Sequence, residues 1–189
     1  AIANPPYMGA KNMSAPLSQF MKREYPTGKS DLFAAFIERI ITMVSPRGYM
    51  AQVTMQSWMF LSSFEALRAR LLGQNTLLSM AHLGARAFDS IGGEVVSTTA
   101  FVLENANRLD LKGSYLRLVS GNSEIEKNDA IREAVRDPDC GWLFRSSAAD
   151  FKKIPGSPIA YWIGSSTKAA FAEMERLGDF AKPRQGMST

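Results

Sequence analysis

The sequence is poor in the residues that build metal sites and disulfide frameworks. Among its 189 residues, Cys140 is the single cysteine and His82 the single histidine. An internal disulfide framework, a cysteine zinc cluster and a multi-histidine metal site are therefore excluded. No apolar run approaches the roughly 18 residues that a membrane span needs. We expect a cytoplasmic protein with no metal and no membrane partner, in which His82 is a structural residue of a strand.

The charge balance is mildly basic, with 22 lysines and arginines against 18 aspartates and glutamates and a net charge of +4. Such a balance permits a polyanionic partner but does not identify one, because net charge bears on association and not on fold. Short basic groups occur at Lys22-Arg23, at Arg68 and Arg70, at Lys152-Lys153, and at Lys182 with Arg184. Solvated surface positions explain most of these groups, and contacts with phosphates are the alternative.

Helical and extended patterns alternate along the first part of the chain. Apolar residues at helical spacing predict helices, and short apolar stretches bounded by turn residues predict strands. The predicted elements are helices from Ser30 or Asp31 to about Val44 and from about Ser63 to Leu72, and strands at Tyr49–Thr54, Thr76–Leu83 and Val95–Leu103. This alternation indicates an α/β sheet. The last two strands are joined without a helix, which predicts an antiparallel hairpin at one end of the sheet.

The pattern is weaker beyond Leu103. It predicts one more strand at Ser114–Val119, a polar helix at Asn122–Arg136 and a helix at Thr167–Arg176. The stretch 138–158 is predicted to be largely irregular. The sequence contains neither an internal repeat nor a low-complexity segment.

The most informative segment is Asn4-Pro5-Pro6-Tyr7, which follows the apolar pair Ile2-Ala3. This pair has the character of the end of a strand. The two consecutive prolines remove two backbone donors and fix two φ angles, so the segment is a rigid loop and not a strand interior. The simplest interpretation is a structural turn, and the residue types also support a chemical interpretation.

The chemical interpretation concerns an exocyclic amine whose lone pair is delocalised into an aromatic ring, which makes it a poor nucleophile. The side-chain carbonyl of Asn4 and the main-chain carbonyl of Pro5 can each accept one of its two N–H bonds. That arrangement favours a pyramidal nitrogen whose lone pair is aimed at a methyl donor. Tyr7 supplies an aromatic face on which a flat base can stack. A base inside a duplex cannot reach such a pocket and must be flipped out.

Asn4-Pro5-Pro6-Tyr7 resembles the target-amine motif of amino-methyltransferases that use S-adenosylmethionine. Three later segments resemble the motifs that follow it: Lys29–Phe33 at a helix start near the cofactor, Ser45–Thr54 at the next strand entry, and Phe88 followed by Val95–Leu103. The wording HLGARAFDSIGGEVVSTTAFVLE and IPGSPIAYW is most similar to large adenine-specific DNA methyltransferases of the phage-growth-limitation (BREX) type. Combined restriction–methylation enzymes are near relatives.

The resemblance implies the C-terminal half of a Rossmann-like S-adenosylmethionine methyltransferase sheet with an antiparallel hairpin, followed by a mixed segment. Residues 1–120 would be a partial catalytic domain, and residues 121–189 would connect it to a target-recognition region. The implied reaction transfers a methyl group to the exocyclic amine of an adenine flipped out of double-stranded DNA, in phage defence or restriction–modification.

The resemblance also assigns residues to roles. It implies catalytic roles for Asn4, Pro5, Pro6 and Tyr7. Phe88 would pack against the flipped adenine, with a purely structural core position as the alternative. Asp31 would lie on the cofactor side, and a helix cap explains it equally well. Trp58 and Phe60 are expected to be packing residues. Tyr161-Trp162 is expected to be a hydrophobic anchor, with contact to DNA as the alternative.

One part of the family pattern is absent from the sequence. The glycine-rich loop that cradles S-adenosylmethionine, together with the acidic residue for its ribose, should precede Asn4. We therefore expect S-adenosylmethionine to bind the full-length parent and not this chain, which would be inactive alone. The chain would then start on a core strand with an exposed apolar sheet edge. Such an edge predicts self-association, poor solubility or an upstream partner segment.

Two other functions remain open at this point. A protein methyltransferase acting on a glutamine amide faces the same chemical problem at its nitrogen and needs the same loop. Such enzymes usually end soon after the hairpin, whereas this chain continues well past Leu103 and is basic, and both features favour DNA. The third interpretation is a non-catalytic binding module.

Overall fold

A mixed sheet of six strands organises the computed structural model, which describes residues 1–88, 96–175 and 177–181. The strands are β1 (Ile2–Ala3), β2 (Tyr49–Met55), β3 (Thr76–Gly84), β4 (Thr98–Glu104), β5 (Gly113–Arg117) and β6 (Leu143–Ser146). The α-helices are α1 (Ala15–Glu24), α2 (Leu32–Met43), α3 (Glu65–Gln74), α4 (Glu124–Arg136), α5 (Ala148–Lys152), α6 (Ser165–Glu173) and α7 (Leu177–Phe180). Short 3-10 helices lie at Ala10–Asn12, Gln56–Met59 and Ser62–Phe64.

The strands are ordered β1-β2-β4-β3-β5-β6 across the sheet. β1 runs parallel to β2 and β3 runs parallel to β5, whereas β4 is antiparallel to both of its neighbours and β6 is antiparallel to β5. The predicted α/β class and the antiparallel pairing of β3 with β4 are confirmed. The prediction that this hairpin lies at one end of the sheet is wrong, because β4 inserts between β2 and β3 and because β5 and β6 extend the sheet beyond β3.

The predicted boundaries agree with the structure where a local signal marks them. Asp31 is the N-cap of α2, and its side chain accepts a hydrogen bond from the amide of Phe33. β6 was not predicted, since it lies in the stretch interpreted as irregular. Its four residues become a strand by pairing with β5. Val95 and Arg176, at the ends of two predicted elements, lie outside the described residues.

One face of the sheet carries the core. Buried side chains that point to this face from four strands pack against α2 and α3; they are Met50, Met80, Phe101 and Tyr115. Phe151, Ile159 and Tyr161 belong to the same cluster. Residues after 120 therefore complete the sheet and its core, and the division of the chain near residue 120 stays a prediction.

Arg68 of α3 connects the segment around Gly156 to the segment that follows β2, because its side chain binds carbonyls in both. Its side chain is 2% exposed. The guanidinium donates to the carbonyls of Trp58 and Leu61, at 2.9 and 2.7 Å, and to that of Gly156 at 3.0 and 2.8 Å. Burial lowers the pKa of Arg68. These bonds matter because buried carbonyl oxygens without donors would destabilise the fold.

The opposite face of the sheet is an open apolar concavity of about 520 Å³. Its floor is made of small side chains that alternate with the core residues along the strands, and these include Ala51, Val53, Ala81, Ala100 and Val102. Ala134 and Val135 of α4 line one side. β1 is an edge strand, and Ile2 is 90% exposed there. No helix in the described part of the chain is long and apolar enough to cross a membrane.

Candidate active site

Four strands end at the same edge of the sheet, because β1, β2, β3 and β5 run in one direction. The segments that leave this edge begin at Asn4, Gln56, Ala85 and Leu118. In open α/β sheets, ligands bind outside the carboxyl ends of the strands. The Asn4–Tyr7 loop and Phe88, which the sequence singles out, therefore leave the sheet at the edge where a site is expected.

The Asn4–Tyr7 loop is fixed to the core at alternate positions. Pro5 is buried, whereas Asn4 and Pro6 are exposed. The ring of Tyr7 is half-buried and meets Phe33 edge-to-face, with 6.1 Å between the ring centroids. Burial raises the pKa of the Tyr7 phenol, so this side chain is neutral at ordinary pH. The loop thus presents an accessible amide at Asn4 on a rigid, anchored backbone.

Asp31 connects the end of this loop to the start of α2. Its Oδ1 accepts from the amides of Met8, at 3.0 Å, and Phe33, at 3.4 Å. The amide of Leu32 donates in turn to the carbonyl of Met8 at 3.0 Å. Burial raises the pKa of Asp31, although backbone amides that donate to it act in the opposite sense. The structure shows the capping role, and contact with a cofactor stays a prediction.

Phe88 lies on the α4 side of the same edge. It is half-buried and lines a cavity of about 430 Å³ together with Leu83, Ile125 and Ile131. One part of the ring is therefore packed and another part is accessible. The Gly92-Gly93 pair that follows Phe88, and the basic residues Lys182 and Arg184, lie outside the described residues.

His82 forms a buried hydrogen-bonded group that includes two residues the sequence did not connect with it. Its Nε2 lies 2.7 Å from Oε1 of Gln56, and its Nδ1 lies 2.9 Å from the hydroxyl of Tyr161. An amide oxygen only accepts, so Nε2 carries the proton and Nδ1 accepts from the tyrosine. Burial, with Arg117 and Lys127 nearby, lowers the pKa of His82 to about 4. His82 is thus neutral and structural.

The predicted packing residues around this group have the expected positions. Trp58 and Tyr161 are buried in the core cluster. Phe60 and Trp162 are half-buried and pack edge-to-face, with 5.6 Å between centroids. The exposed guanidinium of Arg117 lies 5.4 Å from the Trp162 ring. None of the described residues forms a cluster of histidine, cysteine and carboxylate side chains suited to a metal ion.

The fold and the loop indicate the class of protein: an α/β methyltransferase sheet with the Asn4–Tyr7 loop, which resembles a target-amine motif, at its carboxyl edge. Residues 1–88 match the family model of the Eco57I restriction-modification methylases. The chain is 44% identical over 191 residues to the adenine-specific methyltransferase PglX of Lacticaseibacillus casei (strain Zhang), which covers 100% of this chain. It is 48% identical over 178 residues, 94% of its length, to the adenine-specific methyltransferase BrxX of Escherichia coli O9:H4 (strain HS).

The chain spans 16% of the length of PglX and 14% of that of BrxX. The type IIG restriction endonuclease BpuSI has a similar fold, with a TM-score of 0.61 at 13% identity, over 86% of this chain and 20% of that one. The predicted resemblance to adenine-specific methyltransferases of phage-defence and restriction–modification type is confirmed. A glutamine-amide methyltransferase is not favoured, because the matching relatives are adenine-specific.

Replacing Asp31 tests whether it anchors the loop. We expect Asp31→Ala to lower the free energy of unfolding by about 2 kcal/mol, because a helix cap and a buried amide partner are lost together. Asp31→Asn keeps an acceptor oxygen and should cost less than about 1 kcal/mol. Denaturant unfolding and hydrogen exchange of the Met8 amide measure both effects. The exposed Asp110→Ala is the control, and equal losses for the two Asp31 variants would contradict the anchoring role.

The low pKa of His82 makes stability depend on pH. The pKa is 6.5 in the unfolded chain and about 4 in the folded chain. Between these values the unfolded state binds more protons, so the free energy of unfolding falls as the pH is lowered from 6.5 to 4. The full loss is about 3 kcal/mol. His82→Gln should remove this component from the pH profile. Parallel profiles for the two proteins would show that His82 titrates normally.

Proposed function

We propose that this chain forms the target-base side of an adenine-specific DNA methyltransferase that uses S-adenosylmethionine. The full-length enzyme would be as long as PglX and BrxX. The observation that carries the proposal is the Asn4–Tyr7 loop. Asn4 is exposed at the carboxyl end of β1, and Pro5 is buried. Asp31 accepts a hydrogen bond from the amide of Met8, the residue that follows the loop. The identity to PglX and BrxX, which are adenine-specific methyltransferases, supports the same reaction.

In this proposal, the side-chain carbonyl of Asn4 and the main-chain carbonyl of Pro5 each accept a hydrogen bond from one N–H group of the adenine amine. Accepting both bonds favours the pyramidal nitrogen of the transition state. Attack of the nitrogen lone pair on the methyl carbon would break the carbon–sulfur bond and release S-adenosylhomocysteine, and one N–H proton would leave the methylated nitrogen afterwards. Pro5 and Pro6 hold the acceptors in place because each fixes one φ angle. Tyr7 supports the base from its anchored position on Phe33, and Phe88 contacts the base from the α4 side.

S-adenosylmethionine would supply the electrophilic methyl group. The residues of this chain fit the cofactor only in part. Asp31 is the candidate on its side of the site, but its Oδ1 already accepts from the amides of Met8 and Phe33. Residues that hold the methionine and ribose portions are therefore proposed to belong to another part of the full-length protein. The isolated chain is proposed to be inactive.

The proposed macromolecular substrate is double-stranded DNA from which the target adenine is flipped. The amine of a paired adenine is directed toward its partner strand, so a loop that accepts both of its N–H bonds requires extrusion of the base. The net charge of +4 is compatible with a DNA partner. We assign the target-base site to residues 1–120 and propose that residues 121–189 lead toward a target-recognition region. The setting is cytoplasmic phage defence or restriction–modification.

The exposed edge supports self-association of the isolated chain. Within the residues that the structure describes, β1 pairs on one side only, and Ile2 is exposed beside the open apolar face. Sedimentation velocity over a concentration series should show association, and Ile2→Lys should weaken it because edge charges oppose strand pairing. Leu61→Lys, at an exposed position in the loop before α3, is the matched control. A monomer at every concentration would contradict this proposal.

Methyl transfer from labelled S-adenosylmethionine to unmodified DNA tests the proposed function in the full-length protein. Asn4→Ala should lower kcat by about 100-fold or more, since one acceptor of a preorganised site is lost. Tyr7→Ala removes a stacking surface worth about 1–3 kcal/mol. Asn12→Ala and Tyr49→Ala are matched controls, because both residues are exposed and Tyr49 begins β2 at the opposite edge of the sheet.

The product decides between the candidate functions. Label on adenine that is lost in the Asn4 and Tyr7 variants supports the proposal. Label on a protein glutamine would replace it with the amide-methyltransferase alternative. Absence of transfer to either acceptor would make the Asn4–Tyr7 loop a structural turn and leave a binding module.

A further inference from the structure

Lys127 of α4 is a buried cation with a complete set of acceptors. Its side chain is 3% exposed. The ammonium group donates to the carbonyl oxygens of Leu83, Leu118 and Gly121, at 2.8, 2.8 and 2.6 Å. An ammonium group has three donors and no acceptor, so these three bonds use all of its hydrogens. Burial lowers the pKa of Lys127, and Glu126 acts in the opposite sense.

Two of these carbonyls lie where the chain leaves the sheet toward the candidate site. Leu83 is the penultimate residue of β3, and Leu118 directly follows β5. Gly84 turns the chain with a φ of +66°, and a Cβ atom placed there would lie 3.1 Å from Cα of Val119. A side chain at that position would be strained by the positive φ and would press closely on the neighbouring backbone. Lys127 holds together the two strand ends that this close approach requires.

The loop that follows β3 is also bound by the segment that precedes α4. We call residues 84–88 the Gly84–Phe88 loop. Arg86, in the left-handed region with a φ of 55°, donates to Oδ1 of Asn122 at 3.2 Å. Phe88, at the end of the loop, lines its cavity together with Lys127 and with Ile125 and Ile131 of α4. Lys127 thus binds the residue before the loop, Asn122 binds the loop itself, and the last residue of the loop shares a cavity with α4.

We propose that Lys127 is a positioning residue for Phe88. It binds the carbonyl of Leu83, directly before the Gly84–Phe88 loop, and the carbonyl of Leu118 at the end of the parallel strand β5. This inference rests on the proposed function, in which Phe88 contacts the flipped adenine. Lys127 acts through Phe88 and does not touch the substrate. A small displacement of a group that orients a substrate can cost about 100-fold in rate.

A double-mutant cycle between Lys127 and Phe88 in the full-length protein tests the inference. Single-turnover methyl transfer at saturating DNA is measured for Lys127→Met, Phe88→Ala and the double variant, together with the dissociation constant for DNA. We expect Lys127→Met to slow methyl transfer by about 10- to 100-fold with little change in DNA binding. The double variant should be no slower than Phe88→Ala alone, because residues that act through one contact are not additive.

Three further proteins separate positioning from general loss of structure. Lys127→Arg keeps the charge and the N–H donors and should recover most of the rate. Lys168→Met is the matched control, because Lys168 is also a buried lysine, 9% exposed, but donates to Ser146 in another part of the fold; it should transfer methyl groups at nearly the normal rate. If Lys127→Met does not fold, Lys127→Gln, which keeps two N–H donors, replaces it in the cycle.

The outcomes are distinct. Equal slowing by the Lys127 variant in the presence and absence of Phe88 would overturn the inference, as would a full rate in Lys127→Met. A full rate in Phe88→Ala would also overturn it, since no base contact would then remain to be positioned. If the unaltered protein transfers no methyl group to adenine, the proposed function itself fails, and that result is visible before any variant is compared.

Discussion

The insertion of β4 between β2 and β3 is the constraint on which the candidate site depends. β4 is antiparallel to both neighbours over nearly its whole length. An antiparallel strand between them leaves β2 and β3 pointing the same way, so the segments after both leave the sheet at one edge. β1 and β5 add their ends to this edge by parallel pairing. Loops far apart in the chain thus meet at one edge of the sheet, the edge at which α/β proteins bind their ligands.

Buried polar side chains then fix the loops that the sheet brings to this edge. Asp31 binds the amide after the Asn4–Tyr7 loop, Arg68 binds three carbonyls near the end of β2 and in the 154–162 segment, and Lys127 binds the ends of β3 and β5. Each of them binds backbone groups at the end of a strand, at the start of a helix or in a loop. Because a buried unpaired carbonyl or amide is costly, such contacts define a loop more narrowly than apolar packing does.

The two faces of the sheet differ in a way that bears on how this chain works. The face with α2 and α3 is filled by large side chains such as Phe101 and Tyr115, whereas the other face is floored by alanines and valines and is open. A floor of small side chains lets another element approach the sheet closely. In the proposed function, this chain would present the pocket for the target amine. The other roles would belong to the rest of a protein as long as PglX and BrxX.

The sequence by itself determined the elements whose signals are local. The helical spacing from Leu32 and the cap at Asp31 mark α2, and two prolines after a short strand mark the rigid loop at Asn4. The tertiary structure alone decided the position of β4, the existence of β6 and the burial of Lys127 in a helix whose composition is polar. Strand order, edge pairing and the partners of a buried cation depend on contacts between residues distant in the chain. A local pattern of hydrophobicity does not predict which distant backbone carbonyls will need a hydrogen-bond donor.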